Sequence, residues 1–309
     1  MKYLYYYLRS MRLYYCCVTG SATLAGIAVA TGKRGMQWDW RTGIVLLIGF
    51  FAWGVNQIIN DFCDRREDRI NAPHRPMVTG RLPAKPALLM SVAIMMIFGT
   101  VSCLITPWTL LPVGTGFLFN LLYGVTKGIP LLGNALYALS ISMCTLYGFV
   151  GSIGGVHDRR DFFVVLNVCG FLALSHFLMC LYSTLKDVPG DRAAGKETLA
   201  VVLGSQRTKY ISHLFAAVLL GLYLCPVFLT PAFPAAFLIA WGWCFLLAAW
   251  NGVLLTKNQM HRATKANCQS CTAQQLLILS LYTPWGPVVM FAVWGIVEMI
   301  FRWYPDEKE

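Results

Sequence analysis

The sequence predicts an all-α, polytopic membrane protein of nine transmembrane helices, arranged as two similar helical halves around a central cavity. Three observations carry that reading. Hydrophobic residues fill 57% of the 309 positions and charged residues only 13%, about half the charged share of an ordinary soluble chain. Apolar stretches long enough to cross about 30 Å of hydrocarbon recur from end to end. Lys and Arg outnumber Asp and Glu 25 to 14, a formal net of +11, and the excess falls on alternate connections. Together these exclude a disordered tail, an acidic solvating chain and a disulfide scaffold. They also speak against a nucleic-acid binder, whose charge is spread over a water-facing surface.

The first span, Leu13–Thr31, follows a basic start with Lys2, Arg9 and Arg12, and reads as an anchor rather than a cleaved signal. Gly43–Ile59 comes next, beyond the interfacial pair Trp38 and Trp40, and runs into a polar loop. Ala87–Ile105 and Trp108–Val125 are joined by the uncharged turn Thr106-Pro107. Ala135–Val156 and Phe162–Thr184 follow, then Ile211–Leu229 and Phe233–Leu255 around Thr230-Pro231-Ala232, and last Leu276–Ile300. Each must be helical, because a backbone in lipid has no water to bond.

With the N-terminus inside, segments 1–12, 60–86, 126–134, 185–210 and 256–275 are inner, and they hold 18 of the 25 basic residues. That bias predicts a cytoplasmic N-terminus and, after nine crossings, an external C-terminus. Short loops and the lack of a transit segment suggest a bacterial or archaeal cytoplasmic membrane. A weak repeat supports the two halves: the Thr-Pro turns at 106–107 and 230–231 follow Asp61 and Asp187 at similar distances.

The two long inner loops, near 60–86 and 185–210, are acidic. The first begins Asn60-Asp61-Phe62-Cys63-Asp64-Arg65-Arg66-Glu67-Asp68-Arg69. If the second helix continues through it, Asn56, Asn60, Asp64 and Asp68 form an i, i+4 ladder, with Asp61 within a roughly 100° arc. Stacked carboxylates repel unless a cation sits among them, and hard oxygen donors suit Mg²⁺ shared with substrate phosphates. The second loop holds Asp187 and Asp191, four apart, with Pro189-Gly190 between them. Proline cannot continue a helix unperturbed, so this pair is expected to straddle a helix end. Five aspartates at mid-bilayer would each cost about 3 kcal/mol, which places the site near the inner face.

Two such loops on one side, with aspartates amid Arg and Lys, suit a metal–diphosphate site in which carboxylates hold Mg²⁺ and basic groups neutralise phosphate. An apolar tail lodged among the spans makes the expected ligand a prenyl diphosphate.

These residues resemble the UbiA-type intramembrane prenyltransferases. The family's N-D-x-x-D-x-x-x-D matches Asn60, Asp61, Asp64 and Asp68, followed by Arg69, Asn71, Arg75 and Pro76. Its D-x-x-x-D, with a Gly and a Thr-Leu beyond, matches Asp187, Asp191, Gly195, Thr198 and Leu199. The stretch Tyr123 to Lys127, then Pro130, Gly133 and Asn134, is similar as well. The resemblance covers nearly the whole chain, as a single membrane-embedded domain over 1–309, and implies Mg²⁺ on the diphosphate. Carried over by position, Asn60, Asp64, Asp68, Asp187 and Asp191 are the candidate metal ligands, with Asp61 beside them in the catalytic group. Asn56, Asn60, Arg69, Arg75, Lys127, Lys186, Arg192 and Arg12 are the candidate diphosphate contacts. Where the family often carries R-P-x-N, this chain has Arg12-Leu13-Tyr14-Tyr15, keeping only the Arg.

The reaction expected from the resemblance is transfer of a prenyl group to an aromatic or a glycerol-phosphate lipid acceptor. A UbiA-type terpene cyclase, in which the chain captures its own cation, is the alternative. A transporter is disfavoured, because its charges would lie at the midplane rather than at one end. The Cys residues lie mostly in spans as small apolar groups, and Cys268-x-x-Cys271 with His261 has no second pair to complete a zinc site. His176 lies within the sixth span and reads as a neutral packing group. Trp53, Phe119, Tyr147 and Tyr182 are aromatics that could shield an allylic cation.

Overall fold

A computed structural model describes residues 2–32, 38–155, 159–224 and 232–304, and the regular structure among them is helical. A short helix α1 (Lys2–Ser10) precedes α2 (Leu13–Thr31), whose bounds are those of the first apolar run. Next come α3 (Trp40–Cys63), the short α4 (Arg65–Asn71) and α5 (Ala84–Ile105). A 3-10 turn at Pro107–Thr109 leads into α6 (Leu110–Thr126), then α7 (Leu132–Ile153) and the long α8 (Arg159–Ala193). The chain ends with α9 (Leu199–Leu203), α10 (Ser205–Leu222), α11 (Pro234–Thr256), α12 (Met260–Leu279) and α13 (Gly286–Phe301). The Thr230-Pro231 half of the proposed repeat lies outside the described residues.

Seven of the described segments are long and apolar enough to cross a bilayer. Leu89, Met96, Leu104, Leu118 and Val125 point outward and exposed from α5 and α6, a surface that suits lipid rather than water. This is an integral membrane protein. Small residues set its tightest crossing. A Cβ on Gly26 of α2 would fall onto the Thr145 backbone of α7, and one on Gly148 would fall onto Thr23. Glycine there lets two backbones meet, which is how helices gain packing contact where no hydrophobic drive between them exists.

The expected nine spans are not reproduced helix for helix. Segment 256–275, expected as an inner loop, is instead most of α12. The expected last span, Leu276–Ile300, is divided by a turn at 280–285 into the end of α12 and α13. Polar residues concealed α12, and the structure shows where their groups go. Asn267 Nδ2 donates to Met179 O of α8 at 2.9 Å, and Gln275 Nε2 lies 2.7 Å from His176 Nε2, with Gln269 Nε2 near Glu298 of α13. α12 is an interior helix whose polar groups bond its neighbours, a use of polar residues open to a helix shielded from lipid.

This division moves the C-terminal end. Tyr304 Oη accepts from Leu13 N at 3.1 Å, and the Tyr14 ring sits 4.4 Å from Phe301 and 5.1 Å from Tyr304, centroid to centroid. Tyr304 therefore lies at the same end of the bundle as the start of α2, not at the opposite end. A second correction concerns α8. It runs through Pro189 to Ala193 rather than ending between Asp187 and Asp191. Proline costs α8 the bond that position 189 would give to Leu185 O, and the Gly190 N–H that follows donates to the Asn71 side chain of α4.

Candidate active site

The first acidic motif is built on a kink. α3 stops at Cys63 and Asp64 takes φ −87° and ψ 12°, yet Asp64 N still bonds Asn60 O at 2.8 Å and Asp68 N bonds Asp64 O at 2.9 Å. The helix bends there, so the carboxylates of the expected straight ladder face two sets of cations instead of each other.

One set lies toward α1 and α2. Asp61 Oδ1 accepts from Arg12 at 2.6 Å and from Gln57 Nε2 at 2.9 Å, with Arg75 at 3.5 Å. Arg75 also pairs with Asp68, and Trp53 Nε1 donates to Gln57 Oε1 at 3.0 Å. Arg12 adopts a left-handed φ of 49°, which costs a residue with a Cβ about 1 kcal/mol, and the ion pair with Asp61 offsets this. Asp61 is thus a strut between α3 and the α1–α2 corner.

The other set lies toward α6 and α8. Asp64 faces Lys127 Nζ at 3.4 Å and Lys196 Nζ at 3.8 Å, and Lys196 reaches Glu67 at 2.8 Å. Tyr123, Asp187 and Asp191 lie within electrostatic reach of Lys127. The two acidic motifs, 126 residues apart between Asp61 and Asp187, therefore meet around one ammonium group.

Burial and charge compete here. Burial raises the Asp68 carboxyl to about 6, the Arg75 guanidinium opposing it and Asp61 reinforcing it. Burial also works against the charge of Lys127, but Tyr123, Asp64 and Asp187 outweigh it and hold this ammonium above its ordinary value. Glu67 is lowered, because its bond to Lys196 overcomes the penalty of burial.

The remaining predicted residues are placed unevenly. Asn56 Oδ1 accepts from Asn120 Nδ2 of α6 at 3.1 Å, and Asn60 lines the cavity described below. Arg69 and Arg192 are exposed. Lys186 lines a separate small cleft with Leu255, Met260 and Thr264, beside α11 and α12. Lys196 and Gln57 were not foreseen. Lys196 stands five residues past Asp191, and Gln57 one turn before Asp61, so position relative to the motif aspartates was the available signal.

Behind the mouth at Asn56 and Asn60 opens a cavity walled by α2, α3, α6 and α7. Trp53 and Tyr137 line it as an edge-to-face pair with ring centroids 5.6 Å apart. Below them Ile141, Met143, Cys144 and Ile48 make the wall mostly apolar. The other aromatics proposed as cation shields differ: Tyr147 lines the deep end, while Tyr182 bonds His213 at 3.0 Å on another face.

Among the described residues no three Asp, Glu, His or Cys side chains close on one point. The donor set nevertheless fits Mg²⁺. Both carboxylate oxygens of Asp191, and Asp68 Oδ2, are buried with no hydrogen-bond partner. Such groups cost about 1–3 kcal/mol or more unless something pairs with them. Hard oxygens of this kind are what Mg²⁺ takes, with substrate phosphates and water completing its shell.

Three comparisons bear on this geometry. The model of the UbiA prenyltransferase family matches residues 20–274. A digeranylgeranylglyceryl phosphate synthase from Natronomonas pharaonis is 31% identical over 201 residues, covering 64% of this chain and 69% of that protein. Among solved structures, a UbiA homolog from Aeropyrum pernix K1 superposes with a TM-score of 0.69 at 15% identity, over 91% of this chain and 98% of that one. One from Archaeoglobus fulgidus, bound to GPP and Mg²⁺, gives 0.64 at 19% identity, over 94% and 99%.

Proposed function

The chain belongs to the UbiA prenyltransferase family, and on that premise we propose that it transfers a prenyl group from a prenyl diphosphate to the hydroxyl of a glycerol-phosphate lipid. The observation that carries this reading is the docking of the two aspartate motifs beside an apolar cavity, with Asp64 on Lys127 and Gly190, between Asp187 and Asp191, on Asn71. The relatives' names support the acceptor class, and they lend nothing to the cyclase alternative, which is not carried further.

Asp64, Asp68, Asp187 and Asp191 would hold Mg²⁺, with Asn60 beside them. When bound, that metal supplies positive charge against the diphosphate oxygens. Lys127 and Lys196 add to this, so the pair of electrons in the C1–O bond can leave with diphosphate. Trp53 and Tyr137 present π faces where the allylic cation forms, and the apolar wall keeps water from it. The acceptor oxygen then bonds C1, and its proton leaves to the departing diphosphate. The whole chain acts as one domain. Its N-terminus and active-site loops face the cytoplasm, because Arg9, Arg12, Arg65, Arg66, Lys127 and Lys196 crowd that end of the bundle.

The test is to incubate membranes carrying the protein with geranylgeranyl diphosphate, Mg²⁺ and a glycerol-phosphate lipid, and to weigh the product. A new prenyl ether is expected from the wild type and none from Asp64→Ala or Asp191→Ala, with all three inserted at equal levels. Chelation should stop the reaction and added Mg²⁺ restore it. Near-normal turnover by both variants would sink the assignment.

A further inference from the structure

The cavity behind Asn60 ends on packed side chains. Its deepest lining residues are Ile48 of α3, Val113 and Pro112 of α6, and Tyr147 of α7. Ile48 and Tyr147 are themselves part of an apolar plug with Val45, backed by Phe98, Val101 and Ile105 of α5. The Tyr147 ring is 4% exposed, and its hydroxyl lies 2.8 Å from Ser102 Oγ of α5. It thus leaves α7 and reaches α5 below the cavity, as a crossbar fixed at its far end.

The depth of this pocket has a chemical meaning. Asn60 and Ile48 are twelve residues apart on α3, which is about 18 Å of helix. Each isoprene unit advances an extended chain by about 5 Å, four carbon–carbon bonds of about 1.5 Å foreshortened by their angles. With C1 held at the mouth, the space accepts about four isoprene units.

We propose that Tyr147, fixed by Ser102, is the residue that limits donor length, and that this protein is built for prenyl diphosphates of up to twenty carbons. The proposal rests on the transferase reading above and adds to it a floor. To continue along the axis of α3, a fifth unit has to displace a packed, hydrogen-bonded ring, and overpacking such an apolar contact is unfavourable. Chains of ten or fifteen carbons fit but leave the deep end unfilled.

The experiment presents donors of ten, fifteen, twenty, twenty-five and thirty carbons to the membrane-embedded protein and its variants, with one acceptor throughout. The wild type is expected to prefer twenty carbons and to lose rate by about tenfold or more at twenty-five. Tyr147→Ala removes the floor and should restore the longer donors. Tyr147→Phe keeps the ring and should keep the cut-off. Cys144→Phe tests the idea from the other side. Cys144 lines the cavity almost one turn nearer the mouth, so a ring there should abolish use of the twenty-carbon donor and spare the ten-carbon one.

Turnover of the ten-carbon donor reports that each variant is folded. If Tyr147→Ala fails that control, Cys144→Phe still decides. The floor is overturned if the wild type uses thirty carbons as well as twenty. It is equally overturned if folded Tyr147→Ala keeps the wild-type cut-off, or folded Cys144→Phe uses twenty carbons undiminished. Wild type that consumes none of the donors refutes the transferase reading itself, a separate outcome.

Discussion

The backbone N–H of Gly190 donates to the Asn71 side-chain oxygen at 2.8 Å, tying the last turn of α4 to the proline-bearing end of α8. Asn71 lies three residues past Asp68, and Gly190 sits between Asp187 and Asp191. A Cβ at Gly190 would occupy the place of the Asn71 amide. The Pro189-Gly190 pair is therefore a docking notch, and one hydrogen bond sets the two aspartate motifs against each other.

Asn71→Ala removes that bond and Gly190→Ala forces the same two groups apart. A buried hydrogen bond of about 1–2 kcal/mol predicts that either change raises the half-maximal Mg²⁺ concentration about 5- to 30-fold. A Mg²⁺ titration of initial rates at saturating donor measures this. An unchanged metal requirement in both variants would show that the notch only packs.

Asp191 carries two buried oxygens without partners, an arrangement that costs stability until a cation arrives. Asp191→Asn is expected to melt at or above the wild-type temperature without metal. It should also lose the stabilisation that Mg²⁺ with a diphosphate gives the wild type, and turnover with it. Thermal melts with and without Mg²⁺ and inorganic diphosphate report both effects. A variant much less stable than metal-free wild type would count against an electrostatic cost at this position.

Arg12 and Asp61 form a part-buried pair at 2.6 Å, but Gln57 and Arg75 also face the carboxylate. Removing the cation alone should cost about 1–3 kcal/mol, less than for an isolated buried pair. The double change Arg12→Ala with Asp61→Asn should recover part of the loss, since no carboxylate is then left short of a partner. Equilibrium unfolding of the four proteins checks this, and strict additivity would contradict the pairing.

Tyr304 bonded to Leu13 places both ends of the described chain on one face. Single cysteines introduced at Lys2 and Arg302, in a background lacking exposed Cys63, should react with an impermeant thiol reagent from the same side of sealed vesicles. Labelling from opposite sides would restore the odd number of crossings that hydropathy suggests.

Much of this architecture was legible in the amino acids, for identifiable reasons. α2 is an uninterrupted apolar run, and lipid permits it only one conformation, so its ends at Leu13 and Thr31 could be read directly. The aspartates of both motifs declared themselves by spacing. α12 did not, because Asn267, Gln269, Gln274 and Gln275 read as a loop unless one knows that α2, α8 and α13 shield them. The division of basic groups between Asp61 and Asp64 was also hidden. It depends on a bend of a single residue at Asp64, and periodicity assumes a straight axis. Pro189 was read by its usual rule and overridden by tertiary docking on Asn71.

The polar composition of α12 also bears on how the protein is made. A helix carrying Asn267, Gln269, Gln274 and Gln275 partitions poorly from the translocon into bare lipid. It becomes favourable only when α8 offers Met179 O and His176, and when α13 brings Glu298 alongside. Entry of α12 into the bilayer is therefore tied to its partners α8 and α13 rather than to its own hydropathy.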